Sequence, residues 1–255
     1  MSLTVNLEHV RGRMAQACRR SGRSPSSVTL IAVTKALHPE TVREIIGLGL
    51  TDLGESRVQE ARAKQAALGS RQQARGSGSQ LPAPSPQPVR WHLIGHLQRN
   101  KAKPAVECFD VVHSVDSLAL VDALEEAASS TRREAARQLE VLIQVNVSGE
   151  STKFGCRSED AVGLARAIGR SSGLALSGLM TLAPFGEDPE QARPHFRRLR
   201  ELRDALAAAL GRPAKSLRLS MGMSQDFEVA VEEGADFVRI GTAIFGERHA
   251  QGRGA

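Results

Sequence analysis

The residues that could do chemistry together in this chain are a lysine, two hydroxyl-bearing glycine loops and one arginine. Lys35 closes the run Thr29-Leu30-Ile31-Ala32-Val33-Thr34-Lys35. Its ordinary reading is a solvated amine, and its sharper one is an amine held in a site where it can form an imine with a carbonyl. Ser220-Met221-Gly222-Met223-Ser224 and Gly241-Thr242 are small segments whose exposed N–H groups would favour an anion such as phosphate at the start of the helices that follow. Ser224 could equally be a plain helix cap, with Asp226 in the first turn. Arg239 interrupts the apolar run Phe237-Val238-Arg239-Ile240. Strand alternation puts Phe237, Arg239 and Gly241 on one face. A buried arginine needs a partner or a ligand, and an acidic residue on a neighbouring strand, with Asp52 the candidate, is the ordinary alternative.

The elements that must position these residues follow from periodicity. Leu3, Leu7, Val10, Met14 and Ala17-Cys18 recur at helical spacing and predict an amphipathic helix ending near Ser21-Gly22. Strands are predicted at Thr29–Val33, Leu50–Gly54, Val89–Gly95, Asp110–Val115, Leu139–Val147, Leu174–Leu179, Leu217–Ser220 and Asp236–Ile240. Helices are predicted between them: over 39–48, from Glu55 to about Leu68, a short basic one stopping before Pro104, and one capped by Asp116. Later helices carry Val162, Ala165 and Ile168, then Phe196, Leu199, Leu202 and Leu206, then Phe227, Ala230 and Val231. Strand–helix alternation implies a parallel sheet, and eight such units imply closure as a (β/α)8 TIM barrel. An open doubly wound sheet is the alternative, weakened because no strand is followed by a Gly-x-Gly-x-x-Gly loop. In a barrel, Lys35, the two loops and Arg239 would all lie at the mouth where the strands end. The chain reads as one domain over residues 1–255. The stretch 69–88, with Pro82-Ala83-Pro84-Ser85-Pro86-Gln87-Pro88, reads as a flexible surface insertion.

Composition removes several classes. The formal charge of +6 comes largely from arginines such as Arg197, Arg198, Arg200 and Arg203 on a predicted helix surface. With one Trp, no Tyr and seven Phe, a base-stacking platform for nucleic acid is not expected. No apolar run spans a bilayer, and the first residues show no secretion signal, so a cytoplasmic protein is expected. Cys18, Cys108 and Cys156 form no metal motif and suggest free thiols.

An imine-forming lysine, a phosphate cradle and a partner for a ring nitrogen are the requirements of pyridoxal 5′-phosphate. Arginine at that nitrogen would disfavour its protonation and leave the ring a weaker electron sink. Ala32-Val33-Thr34-Lys35, Gly54-Glu55-Ser56-Arg57-Val58-Gln59-Glu60, Trp91-His92-Leu93-Ile94-Gly95-His96-Leu97-Gln98, Gly178-Leu179-Met180, Ser220-Met221-Gly222-Met223-Ser224 and Val238-Arg239-Ile240-Gly241-Thr242-Ala243-Ile244-Phe245-Gly246 together resemble the YggS/PROSC family of pyridoxal phosphate homeostasis proteins. The resemblance implies the barrel of the alanine racemase N-terminal domain, fold type III among pyridoxal phosphate proteins. It places the cofactor lysine at Lys35, phosphate contacts at Ser224, Gly241 and Thr242, and the ring-nitrogen partner at Arg239. One departure is visible: the family usually carries asparagine where this chain has Ser56.

A racemase of this kind needs a second base opposite the lysine. In the resembling alanine racemases that base is a tyrosine, and this chain contains none. His92 and Cys156 are the substitutes considered, the first reading as a packed strand residue and the second as a loop thiol. The expectation is therefore a cytoplasmic, monomeric cofactor-binding protein with no catalytic residues, no metal and no membrane or nucleic-acid partner. By the resemblance it serves cofactor supply and amino-acid and keto-acid balance, with pyridoxal-dependent apoenzymes as recipients. A pyridoxal-dependent amino-acid racemase is the alternative.

Overall fold

Short runs of β-branched and apolar residues form the eight strands, and each pairs in parallel with the next. The computed structural model describes residues 2–73, 88–131, 138–150 and 152–247. The strands are β1 (Thr29–Val33), β2 (Asp52–Glu55), β3 (Arg90–Leu93), β4 (Val111–Val115), β5 (Leu139–Gln144), β6 (Leu174–Met180), β7 (Arg218–Met223) and β8 (Phe237–Ile240). β8 returns to β1, with Ile31 opposite Arg239 and Ala32 opposite Ile240, so the sheet closes into a barrel. Helix α1 (Leu3–Arg20) precedes the barrel. Then α2 (Pro39–Gly47), α3 (Val58–Gln73), α4 (Ala102–Cys108), α5 (Leu118–Ser130), α6 (Ala161–Gly169), α7 (Arg193–Ala209), α8 (Phe227–Glu232) and α9 (Thr242–Phe245) follow successive strands. This is the (β/α)8 architecture expected from the alternation. Among the described residues, no helix is long and apolar enough to cross a membrane.

Alternation sorts the strand residues into two cores. Ile31, Val111, Leu142, Met180 and Phe237 face inward and fill the barrel. Their neighbours Leu30, Ala32, Val112, Val141, Ile143, Leu179, Val238 and Ile240 face outward into the layer beneath the helices. Arg239 therefore shares the inward face with Phe237. Charged residues close the N-terminal end of the bore: Arg90 and Arg218 both donate to Glu140, Arg218 donates to Ser177, and its guanidinium lies 4.6 Å from the Phe237 ring centroid.

Helix α1 fastens the last strand–helix units to the first. It buries Leu7, Val10, Met14, Ala17 and Cys18. Asn6 donates to the Ile244 carbonyl at 2.9 Å, Arg13 pairs with Glu228 at 2.8 Å, and Arg20 pairs with Glu232 at 2.6 Å.

Three expectations need correction. Helix α3 runs on past Leu68 through Gly69 to Gln73, because Arg71, Gln72 and Gln73 are good helix formers and outweigh one glycine. Residues 69–73 of the expected insertion at 69–88 are therefore helical, and residues 74–87 lie outside the described residues. Pro104 does not end a helix but sits in the first turn of α4, where its missing N–H has no intrahelical acceptor to lose. Asp116 does not cap α5. Ser117 holds that position, and the Asp116 carboxylate lies 3.5 Å from His96 Nδ1.

Candidate functional site

Lys35 sits in the turn directly after β1, exposed at the C-terminal rim of the barrel. The turn is conformationally costly. Ala36 has φ 58°, a left-handed conformation worth about 1–2 kcal/mol for a residue bearing a Cβ. A buried group beneath holds it. The Ala36 N–H donates to Glu60 Oε2 at 3.0 Å, and the Leu37 N–H donates to the Thr34 carbonyl at 3.1 Å. Lys64 donates to that same carbonyl and to Glu55 Oε1, each at 2.6 Å, while the Thr34 hydroxyl donates to Glu55 Oε1 at 2.6 Å. Burial pushes the Glu55 carboxyl up, against the pull of Lys64 and Thr34. Sequence reasoning missed Lys64. Its signal was its spacing, because it shares a helix face with the buried Val58 and Ala61.

The two glycine loops meet as expected. Ser224 Oγ accepts from the Gly241 and Ala243 N–H groups, both at 3.2 Å, so Ser224 joins the loops rather than capping α8. Asp226 holds the cap position of α8 and takes the Met223 N–H at 2.6 Å. Gly222, at φ 91°, lets the loop lie on α8, because a Cβ there would come within 2.5 Å of the Ala230 Cβ. Thr242 is exposed at the start of α9. Both helices are too short to develop a full macrodipole, so an anion held here would have to rely on individual N–H and O–H donors. Ala243 escaped the sequence reading because its contribution is a main-chain N–H.

Arg239 is 3% exposed on β8. Its Nη1 donates to Ser220 Oγ at 2.6 Å and its Nη2 to the Thr181 carbonyl at 2.8 Å. Both acceptors are neutral, and among the described residues no carboxylate lies within ion-pair distance. The suggested Asp52 partner is therefore wrong: Asp52 starts β2, where His92 Nε2 lies 2.9 Å from its Oδ1. Burial brings the Arg239 guanidinium down to about 10, with Asp226 opposing, so it stays charged at neutral pH. A buried guanidinium with donors left over is an arrangement that calls for an acceptor at the mouth.

Neither suggested second base is free to act. His92 is fully buried inside the barrel. Cys156 is buried rather than an open loop thiol, and burial pushes its thiol up to about 12, with Asp160 and Asp116 adding to the effect. A pair that the sequence reading passed over stands at the ends of β3 and β4. His96 faces Asp116 and stacks on Phe154, ring centroids 4.0 Å apart. Ser56 is held from behind, since a Cβ on Gly95 would come within 2.3 Å of its carbonyl oxygen.

Burial pushes the imidazoles of His92 and His113 down, His113 well below the usual range, where His92, Arg239, Arg218 and Arg90 add to the effect. Below the unfolded histidine value of about 6.5 the unfolded chain binds protons that the native chain refuses, so each imidazole removes stability as pH falls. Urea unfolding between pH 7 and 5.5 is expected to lose stability more steeply for the native chain than for His113→Gln. The difference should approach about 1.4 kcal/mol per pH unit. Identical slopes would mean that His113 takes up its proton in the fold as readily as in the unfolded chain.

Comparisons with known proteins agree with this fold. The family model described as alanine racemase, N-terminal domain, matches residues 5–249. A pyridoxal phosphate homeostasis protein of Aquifex aeolicus is 39% identical over 248 residues, covering 97% of this chain and 99% of that protein. One of Pseudomonas aeruginosa is 41% identical over 247 residues, covering 97% and 96%. The solved structure of PipY from Synechococcus elongatus with PLP bound superposes with a TM-score of 0.74 at 33% identity, covering 96% of this chain and 100% of that one.

Proposed function

Because the chain belongs to the family of pyridoxal phosphate homeostasis proteins, we propose that it holds pyridoxal 5′-phosphate at the C-terminal mouth of one barrel domain, for buffering and supply. When bound, the cofactor supplies an aldehyde that a primary amine can capture and a pyridine ring that can take up electron density. The observation that carries the reading is the meeting of Ser224, Gly241 and Ala243 beside a buried Arg239 that has no carboxylate partner among the described residues. The donor set fits the group. Ser224, Thr242 and the Gly241 and Ala243 N–H groups would bind phosphate. Lys35 would bind the aldehyde carbon. Arg239 would donate to the ring nitrogen and, having no lone pair to offer, would keep a proton off it.

Ser224→Asp puts an anion where phosphate would bind. It is expected to weaken pyridoxal 5′-phosphate binding by about tenfold or more, while the affinity for pyridoxal, which has no phosphate, changes little. Equal weakening for both ligands would sink the phosphate assignment. The comparison reads directly from spectrophotometric titration.

On this reading the protein works in the cytoplasm as a monomer, its recipients are pyridoxal-dependent apoenzymes, and it turns over no substrate at enzymatic rates. A racemase needs a proton acceptor on each face of the substrate α-carbon. With no tyrosine in the chain, a thiol at about 12 and His92 inside the barrel, the remaining candidate is His96. Alanine in deuterated water is expected to exchange its α-proton no faster than with free cofactor. Rapid exchange that His96→Gln abolishes would instead establish the racemase reading.

A further inference from the structure

A line of buried polar side chains runs from Arg239 across the inside of the barrel. Arg239 Nη1 lies 2.6 Å from Ser220 Oγ, and Ser220 Oγ lies 2.9 Å from His113 Nδ1. His113 Nε2 is 2.9 Å from His92 Nδ1, and His92 Nε2 is 2.9 Å from Asp52 Oδ1. Ser220, His113 and His92 are fully buried. Phe237 packs edge-on against both imidazoles, with ring centroids 5.9 Å and 5.5 Å away.

With both imidazoles neutral, the carboxylate end decides the direction of every hydrogen in this line. A guanidinium donates and cannot accept, so Ser220 Oγ accepts from Arg239 and its own hydrogen points to His113 Nδ1. His113 then carries its proton on Nε2 and donates to His92 Nδ1. His92 in turn carries its proton on Nε2 and donates to the Asp52 carboxylate, which only accepts. A second proton on His113 would sit on Nδ1 and displace the serine hydrogen that donates there. The surrounding charges act in the same sense: Arg239, Arg218 and Arg90 disfavour a cation at His113, and Arg90 at His92, where Asp52 and Asp110 oppose it.

We propose that Ser220, His113, His92 and Asp52 form a one-way hydrogen-bond chain that positions Arg239, holds both imidazoles as neutral Nε2–H tautomers, and so sets the ring-nitrogen contact from the N-terminal end of β2. These are positioning residues. Their claim on the cofactor rests on the reading that Arg239 meets the ring nitrogen, but their tautomers do not. Hydrogen bonds aligned in one sense polarise one another, so the charges of Arg239 and Asp52 are coupled through two imidazoles that carry none. Cutting the chain at Ser220 leaves the guanidinium held by the Thr181 carbonyl alone.

The test uses the full chain labelled with 15N-histidine, first without cofactor. The two buried imidazoles, assigned by His92→Gln and His113→Gln, are expected to show protonated Nε2 and bare Nδ1, unchanged from pH 8 to pH 6. In Asp52→Ala the terminal acceptor is lost, and the His92 proton is expected to move to Nδ1. Asp52→Asn, whose side-chain oxygen can still accept, should restore the native pattern. With pyridoxal 5′-phosphate as the probe, Ser220→Ala should weaken binding by about tenfold, the scale of one bond to a charged group. A protonated Nδ1 on either imidazole of the native chain overturns the proposal. So does an Asp52→Ala protein whose tautomers and cofactor affinity both match the native chain. A native chain with both Nε2–H signals that binds no cofactor would sink the functional reading while leaving the chain in place.

Discussion

Lys35→Ala is expected to abolish covalent retention of pyridoxal 5′-phosphate. Reductive trapping followed by peptide mapping should find the adduct at Lys35 in the native chain and none in the variant. Lys35→Arg should fail as completely, because a guanidinium stays protonated and is no nucleophile. The neighbouring amine cannot take over: Lys64 is buried and donates to both the Thr34 carbonyl and Glu55. Affinity should fall without vanishing, because Ser224, the loop N–H groups and Arg239 are untouched. Loss of retention with residual phosphate-dependent binding is thus the pattern that identifies Lys35. An adduct of undiminished yield on another lysine would overturn the assignment.

Gly178→Ala is expected to damage the fold more than any substitution at the mouth. In β6 the register against β5 slips, so that Val141 faces Leu176 but Leu142 faces Gly178. Ser177 is the extra residue of this bulge, and its hydroxyl joins the Glu140–Arg218 cluster. The slip brings Gly178 hard against β7. A Cβ there would lie 1.8 Å from the Arg218 carbonyl oxygen and 2.6 Å from its nitrogen. Overpacking typically costs about 1–3 kcal/mol when side chains can give way. Here the obstacle is a paired backbone, so a loss of about 3 kcal/mol or more is expected, a large share of a typical domain's stability. Urea unfolding measures it. Gly12→Ala is the control: Gly12 is exposed within α1 with nothing near its Cβ position. That variant should gain about 0.5–1 kcal/mol. A Gly178→Ala chain as stable as the native one would mean that β6 and β7 can separate freely.

The barrel was legible in the sequence because each strand is a short apolar run bounded by turn residues and each following helix has its own apolar stripe. Arg239 was legible because alternation needs only its neighbours. What escaped was pairing across the bore. His92 meets Asp52 across 40 positions, His113 across 21, and His113 meets Ser220 across 107. Such contacts depend on strand register, which periodicity along one strand does not define. That is why Asp52 was assigned to the wrong cation. Lys64 was hidden because a lysine in a polar helix reads as solvated, and Pro104 misled because first-turn and terminating prolines look alike without the helix start.

The seam between α1 and the last strand–helix units has a consequence for how the chain is made. Lys35 leaves the ribosome well before Ser224, Arg239, Gly241 and Ala243. Asn6 waits for Ile244, 238 positions later, and Arg13 waits for Glu228, 215 positions later. Contacts of such separation form late in folding. On the proposed assignment, a nascent chain would carry Lys35 without the phosphate-binding loops until residue 243 has been made. On that assignment, occupancy of the mouth would report that translation has passed residue 243 and that α1 has met the last strand–helix units.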